Sequence, residues 1–139
     1  MKRRFAVAYV ITLVVFLALD ALWLTTMAPL LYRPAIGHLM LDEFRPLPAL
    51  AFYLLYVAGI VTFAVMPGLA RASAGGALAR GALFGLVAYA TYDLTNQATL
   101  RGWPWVVTLA DLCWGTFVTA AAAAAACRLT PPIASNKVR

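Results

Sequence analysis

The chain has 139 residues, of which 64% are hydrophobic and only 12% are charged. Soluble domains carry roughly 45–50% apolar and about 25% charged residues, and a fold of this size has too little interior to bury the excess. The composition therefore excludes an ordinary soluble domain and predicts an integral membrane protein. The net charge of +6 comes from basic residues scattered between apolar segments, which does not match the continuous basic surface of a nucleic-acid-binding protein.

The first apolar segment, residues 5–27, is long enough to cross a bilayer as a helix. Basic residues precede it as in a signal peptide, but the apolar segment is too long for one, which predicts a retained membrane span. The connection that follows, residues 28–46, contains three prolines. Within it, residues 35–44 suit either a short amphipathic helix at the membrane interface or a plain loop.

Three further apolar segments follow in the chain. The second is 47–69, with Pro67-Gly68 at its end, and the third is 76–100. The fourth, 104–127, starts at a proline suited to a first helical turn and contains seven consecutive alanines, which favour packing against helices over contact with lipid. The sequence thus predicts an all-α four-helix membrane bundle in one domain, residues 1–130, and a disordered tail, 131–139.

The Lys and Arg residues are unequally distributed between the two ends of these helices. Of the eleven, eight lie at the two termini or at the connection between the second and third segments, where Arg71 and Arg80 are counted, and three lie in the other two connections. Short loops rich in Lys and Arg face the cytoplasm. The sequence therefore predicts a multi-pass protein of the bacterial inner membrane with both termini in the cytoplasm.

Three of the five acidic residues fall inside predicted membrane helices: Asp20, Asp93 and Asp111. An aspartate costs roughly 2.5–3.5 kcal/mol at the centre of a membrane helix, so these side chains are expected to face the bundle interior. In the predicted orientation, each lies seven residues from the outer end of its helix, about 10 Å inside it. The pattern predicts three carboxyl groups in one layer below the periplasmic surface.

Aromatic and polar residues accompany these aspartates at helical spacing. Asp20 and Asp111 each have a tryptophan three residues further on, which places the indole on the same helix face. Tyrosine and amide side chains share the face of Asp93, and an arginine lies at the outer mouth. The predicted ligand-binding residues are Asp20, Trp23, Tyr89, Asp93, Asn96, Arg101, Asp111 and Trp114.

Other features have simpler structural interpretations. Trp103 and Trp105 are expected to form an interfacial aromatic belt. Gly81-x-x-x-Gly85 is a small-residue face that suits either packing within the bundle, which would direct Asp93 inward, or contact with a second copy. The two cysteines lie about 21 Å apart along one helix and are interpreted as apolar fillers. No metal-ligand spacing is present, three carboxylates suit Mg²⁺, Ca²⁺ or Mn²⁺ only as a weaker alternative, and no cofactor is indicated.

The same residues form motifs that resemble those of one known family. The motifs are Leu19-Asp20-x-x-Trp23-Leu24, Ile36-Gly37-His38-Leu39, Phe52-Tyr53-Leu54-Leu55-Tyr56, Tyr92-Asp93-Leu94-Thr95-Asn96-x-Ala98-Thr99-Leu100 with Trp103-Pro104, and Asp111-x-x-Trp114-Gly115. In this combination, the chain resembles a family of bacterial membrane proteins known as domain of unknown function 2177. The resemblance implies a four-helix inner-membrane protein and implies no activity.

Three functions are compatible with the acidic layer. The first is a binding module that holds a small amphiphile or cation in a periplasm-facing pocket, with Trp23 and Trp114 as walls. The second is an acid–base enzyme acting on a lipid or isoprenoid, since neighbouring carboxyl groups divide the roles of proton donor and base. The third is a proton-coupled transporter or channel, although the inner half of the bundle lacks ionisable residues. The expected partners are the bilayer and a small amphiphile or lipid; homo-oligomerisation stays open, and nucleic acid is excluded.

Overall fold

A computed structural model describes residues 1–131, and every regular element within that range is helical. In chain order the elements are α1 (Lys2–Met27), a π-helical turn (Ala28–Tyr32), α2 (Arg33–Ile36), a 3₁₀ turn (Gly37–Leu39), α3 (Pro46–Ile60), a second π-helical turn (Val61–Val65), α4 (Met66–Ala70), α5 (Ala74–Thr99) and α6 (Trp105–Leu129). They form four long rods, which confirms the predicted all-α fold. The predicted disordered tail, 131–139, lies outside the described residues except for its first position.

Three of the four rods are long and apolar enough to cross a membrane: Lys2–Leu39, Pro46–Ala70 and Trp105–Leu129. The fourth rod, α5, has as many residues as α1 but contains four glycines, where α1 has none. It packs more extensively on α6 than on any other element, which shelters part of its surface. The predicted four helices are therefore present, and α5 is the least apolar of them.

The first rod continues past Met27, where the sequence predicts its end. Pro29 lies in the continuation, and a proline removes a backbone N–H and crowds the preceding turn of a helix. The rod nevertheless continues through a π-helical turn that contains this proline, and at its end the backbone N–H of Arg33 donates to the carbonyl of Ala28, five residues earlier. A local change of helix type thus replaces the break that the proline predicts.

The rest of this connection differs from both predicted alternatives. Residues 35–39 complete the first rod, and residues 40–45 are irregular. The segment 35–44 therefore forms neither a separate amphipathic helix nor a plain loop. The longer rod has a structural consequence, because it brings Tyr32 to α6, where the tyrosine hydroxyl contacts Asp111.

The closest helix packing joins α5 to α6. Gly81 and Gly85 both face α6, and a Cβ on Gly85 would overlap the carbonyl oxygen of Gly115. On the α6 side, most of the alanines of 120–126 are buried, as the sequence predicts. Small residues let the two backbones touch, which is how membrane helices associate closely. The glycine face is therefore used inside the chain, and the alternative of contact with a second copy is not needed to explain it.

The second rod leans across the bundle. Its upper part, α3, packs on α1, whereas the turn Val61–Val65 and α4 pack on α5. We call the half of the bundle that holds the connections 40–45 and 100–104 the upper half, and the half that holds the N-terminus and the connection 71–73 the lower half. In the upper half, α3 and α5 consequently part and leave a space between them.

Below the aspartates, the interior is an apolar core in which Phe16, Ile60 and Val118 are fully buried. The buried polar residues of this lower region are threonines with hydrogen-bond partners; Thr12 Oγ1, for example, donates to the carbonyl of Ala8 at 2.7 Å. The three buried carboxyl groups all lie in the upper half. The interior is thus divided into an acidic upper part and an apolar lower part.

Candidate functional site

A cavity of about 680 Å³ lies in the upper half, where α3 and α5 part. Its walls come from α1, α3, α5 and α6, and the continuation of the first rod covers its top. Most of the lining is aromatic or aliphatic, and two carboxyl groups interrupt it. The lining residues are Asp20, Trp23, Leu24, Ala28, Tyr32, Ile36, Met40, Phe52, Tyr53, Tyr56, Ala88, Tyr89, Tyr92, Asp111 and Trp114.

Asp20 provides the carboxyl group on the α1 wall and is buried. Its Oδ2 accepts a hydrogen bond from the hydroxyl of Tyr53 at 2.5 Å, and its Oδ1 accepts one from Nε1 of Trp114 at 3.2 Å. The donors belong to α3 and α6, so this one carboxyl group joins three rods. Hydrogen bonds to a charged group contribute about 1.5–3 kcal/mol each. Asp20 therefore holds the cavity walls together and gives them a negative group.

Asp111 provides the second carboxyl group, on the α6 wall. Its Oδ1 accepts a hydrogen bond from the hydroxyl of Tyr32, and that hydroxyl accepts one from Nε1 of Trp23 at 2.9 Å. The indole rings of Trp23 and Trp114 stack with centroids 4.4 Å apart and planes 7° apart. The two Asp-x-x-Trp units are thus joined by hydrogen bonds. Trp114 of the second unit donates to Asp20 of the first, and Trp23 of the first unit donates to the tyrosine that donates to Asp111 of the second.

Asp93, the third aspartate, is fully buried on α5 beside Asp111 but does not line the cavity. Within residues 1–131 no N–H or hydroxyl group donates to its carboxyl oxygens, but the carboxyl group of Asp111 lies within hydrogen-bonding reach when one of the two carries a proton. Leaving a buried polar group without a partner costs about 1–3 kcal/mol, and more if the group is charged. Native proteins leave few buried polar groups unsatisfied, so Asp93 is a functional candidate in its own right.

The acidic layer has no positive partner within residues 1–131. The hydrogen bonds that Asp20 and Asp111 accept come from uncharged donors, and Asp93 accepts none from an N–H or hydroxyl group of these residues. Arg101, the cation that the sequence predicts at the site, is exposed in the connection between α5 and α6. Of the predicted site residues, five line the cavity, namely Asp20, Trp23, Tyr89, Asp111 and Trp114, and three do not, namely Asp93, Asn96 and Arg101.

The model of a family described as "predicted membrane protein (DUF2177)" matches residues 5–128. The chain belongs to this family. The matched range includes every residue that lines the cavity. No curated protein and no solved structure is similar to the chain. Membership in the DUF2177 family thus establishes a membrane protein and leaves its activity to be argued from the site.

The sequence interpretation of this DUF2177 chain missed the tyrosines that complete the cavity. Tyr53 and Tyr56 lie on α3, a helix without acidic residues, so the sequence of this helix contains no membrane-buried charge that would indicate a site. Their spacing with Phe52 is nevertheless helical and marks an aromatic face. Nothing in the sequence marks Tyr32 as a site residue, because it lies in the connection 28–46, beyond the predicted end of the first helix at residue 27.

Trp103 does not belong to an interfacial belt, contrary to the prediction. It is 7% exposed, and its Nε1 donates to Thr108 Oγ1 at 3.0 Å. Gln97 Nε2 donates to the carbonyl of Trp103 at 3.0 Å, and Gly102 precedes it with a φ of +74°, which turns the chain back onto the bundle. Trp105 is 60% exposed, as a belt residue would be. The connection 100–104 of this DUF2177 chain is therefore anchored by an indole.

Replacing Tyr32 with phenylalanine is expected to lower the free energy of unfolding by about 1–3 kcal/mol. The substitution removes the donor to Asp111 and the acceptor for Trp23 in one step. Thermal unfolding in a neutral detergent measures the loss. Tyr9→Phe is the matched control, because the Tyr9 hydroxyl donates to an exposed carbonyl, that of Leu54. Equal melting temperatures for the two variants would contradict the bridging role of Tyr32.

Proposed function

We propose that this membrane protein binds a small organic cation of the quaternary ammonium class in the cavity of the upper half. The observation that carries the proposal is the composition of the cavity wall. Two carboxyl groups, those of Asp20 and Asp111, interrupt a lining that is otherwise aromatic and aliphatic. Pockets of several hundred Å³ with an apolar wall and a few converging polar groups are the usual form of small-molecule sites.

The charge of the layer favours a cation over a neutral ligand. Burying a carboxylate without a positive partner is unfavourable by several kcal/mol. Residues 1–131 supply hydrogen-bond donors to Asp20 and Asp111 but no positive group. A bound cation would neutralise this excess of negative charge, and a membrane environment with few counter-ions would strengthen the attraction.

The hydrogen bonds favour a cation without N–H donors. Three of the carboxylate oxygens of Asp20 and Asp111 already accept hydrogen bonds from tyrosine and tryptophan side chains. A quaternary ammonium ion needs no acceptor, and it is attracted both by the carboxylates and by the faces of Tyr and Trp rings. The cavity offers such rings from Tyr56, Tyr89 and Tyr92.

Choline is the probe for this proposal, because its head is a trimethylammonium ion. A ligand that binds only the folded protein raises its stability by about 2.7 kcal/mol at a hundred times Kd. Choline chloride is therefore expected to raise the melting temperature of the purified protein with a saturable dose dependence. Potassium chloride at the same ionic strength is the control. Equal effects of the two salts would refute the proposal.

We further propose that the protein lies in a bacterial inner membrane with both termini in the cytoplasm, so that the cavity faces the periplasm. The excess of Lys and Arg at the lower end supports this orientation. The variants Asp42→Cys and Ala70→Cys, each made in a protein without Cys113 and Cys127, test this orientation. We expect an impermeant maleimide to label the cysteine at position 42 in cells with a permeable outer membrane, and that at position 70 only after lysis. The opposite pattern would reverse the orientation.

Asp93 favours a second candidate function, acid–base chemistry on a membrane lipid. Its carboxyl group is buried, accepts no hydrogen bond from an N–H or hydroxyl group of residues 1–131, and lies beside that of Asp111; neighbouring carboxyl groups often divide the roles of acid and base. The variant Asp93→Asn separates the two functions, because Asp93 does not line the cavity.

We expect Asp93→Asn to retain choline-dependent stabilisation and to gain about 1 kcal/mol of stability, since an amide N–H can donate to Asp111. Lipid profiles of a deletion strain complemented with wild-type protein or with this variant supply the other readout. A profile that the wild type restores and Asp93→Asn does not, with choline binding intact, would establish acid–base chemistry.

A further inference from the structure

A second cavity, of about 530 Å³, adjoins the first on the same side of the bundle. Phe52 and Tyr56 line both cavities, and their rings stack with centroids 5.3 Å apart. From Phe52 the second cavity follows the second rod down to Phe63 in the π-helical turn, eleven residues further on or about 16 Å at 1.5 Å per residue. The two cavities therefore adjoin across these rings and follow one another along the second rod as a depression in two parts, acidic at its upper end and apolar below.

The lower part of this depression, which we call the groove, opens toward lipid. Leu55 and Phe63 line it and are 76% and 60% exposed. Its floor contains Tyr56 stacked on Phe84, with centroids 5.4 Å apart. Gly59 makes this floor possible, because a Cβ there would lie 2.7 Å from the Phe84 ring. Among the residues that the structure describes, no acidic or basic side chain lines the groove.

We propose that the cation is the head of a membrane amphiphile, and that its hydrocarbon tail lies in the groove. This inference rests on the proposed function, because the head must first be held by the acidic cavity. The wall of Phe52 and Tyr56 that the two cavities share supports it, since a tail that passes these rings from the upper cavity would enter the groove. The amphiphile reaches the site laterally from the bilayer, without leaving lipid.

Charge selects this amphiphile from the bulk lipid around it. An anionic phospholipid would bring its phosphate toward Asp20 and Asp111, which have no positive partner in the described part of the chain to offset the repulsion. A head with one positive charge and no phosphate avoids this repulsion and neutralises the layer. The preferred ligand is therefore a lipid-like molecule with a net positive head and at least one unbranched or isoprenoid tail.

Photo-crosslinking with a dodecyltrimethylammonium ion that carries a diazirine in its tail tests the inference. The protein is placed in nanodiscs of a neutral galactolipid, which has no amine or phosphate, and the crosslinked residues are identified by mass spectrometry. Excess choline serves as competitor for the head. Thr62→Trp fills the groove from an exposed position, and Val14→Trp is the matched control, since Val14 is 61% exposed on α1 and lines neither cavity.

We expect crosslinks to concentrate on residues 55–63 and near Phe84, and to decrease severalfold with choline or with Thr62→Trp but not with Val14→Trp. Crosslinks spread over all lipid-facing helices and insensitive to choline, while choline itself still stabilises the protein, would overturn the inference and leave the proposed function standing. Failure of choline to bind at all would overturn both.

Discussion

Replacing Asp111 with asparagine is expected to weaken choline binding about a hundredfold or more. The substitution keeps the size of the side chain and its hydrogen bond from Tyr32, and it removes one negative charge from the cavity wall. Breaking a buried ion pair by removing one partner costs about 3–5 kcal/mol, and each 1.36 kcal/mol is a factor of ten. Isothermal titration of the purified protein with choline measures the change.

Asp42→Asn is the matched control for this variant, because Asp42 is exposed in the connection 40–45. It removes the same charge from the same end of the protein without touching the cavity. Asp20→Asn is expected to behave like Asp111→Asn, since its carboxyl group lines the same wall. If all three variants bound choline as the wild type does, the carboxyl groups of the cavity would have no part in recognising a cation.

Replacing Gly85 with alanine is expected to destabilise the bundle by about 1–3 kcal/mol or more. The added Cβ would overlap the backbone oxygen of Gly115 and lie 2.6 Å from Thr119 Oγ1. A backbone atom cannot rotate out of the way, so α5 and α6 must move apart. Because Tyr89 packs on Gly115, the same movement distorts the cavity, and the variant should lose choline binding together with stability.

Gly75→Ala is the matched control in the same helix. Nothing lies within 4 Å of a Cβ at Gly75, and alanine is a better helix former than glycine by up to about 1 kcal/mol. This variant should melt at or above the wild-type temperature. A Gly85→Ala protein as stable as Gly75→Ala would show that the close contact between α5 and α6 does not hold the bundle together.

The membrane character and the layer of aspartates could be predicted from the sequence because both follow from transfer costs. Apolar segments of the length of a bilayer must cross it, and an aspartate in such a segment must face inward. The burial of Asp20, Asp93 and Asp111 is what that argument requires. The packing of the glycine and alanine faces against other helices could also be predicted, since only small residues let membrane helices approach closely.

The partners of the aspartates could not be predicted, for two physical reasons. A proline ordinarily ends a helix, whereas here the first rod continues past Pro29 in a π-helical turn. The contact between Tyr32 and Asp111 depends on this continuation and could not be predicted without it. The lean of the second rod depends on which side chains meet across the bundle, and periodicity in one helix does not contain that information. The tyrosines of α3 and the space between α3 and α5 became visible only with the packed structure.

The most direct test of the cation site is nuclear magnetic resonance of the indole N–H groups during a choline titration. Trp23 and Trp114 belong to the cavity and to its hydrogen bonds, whereas Trp105 is 60% exposed and lines neither cavity. The indole signals of Trp23 and Trp114 are expected to shift along one saturable isotherm while that of Trp105 stays fixed, and the uncharged carbon isostere of choline should have no such effect. Indole signals that do not move, or that move equally with the uncharged isostere, would contradict a cation site between these carboxyl groups.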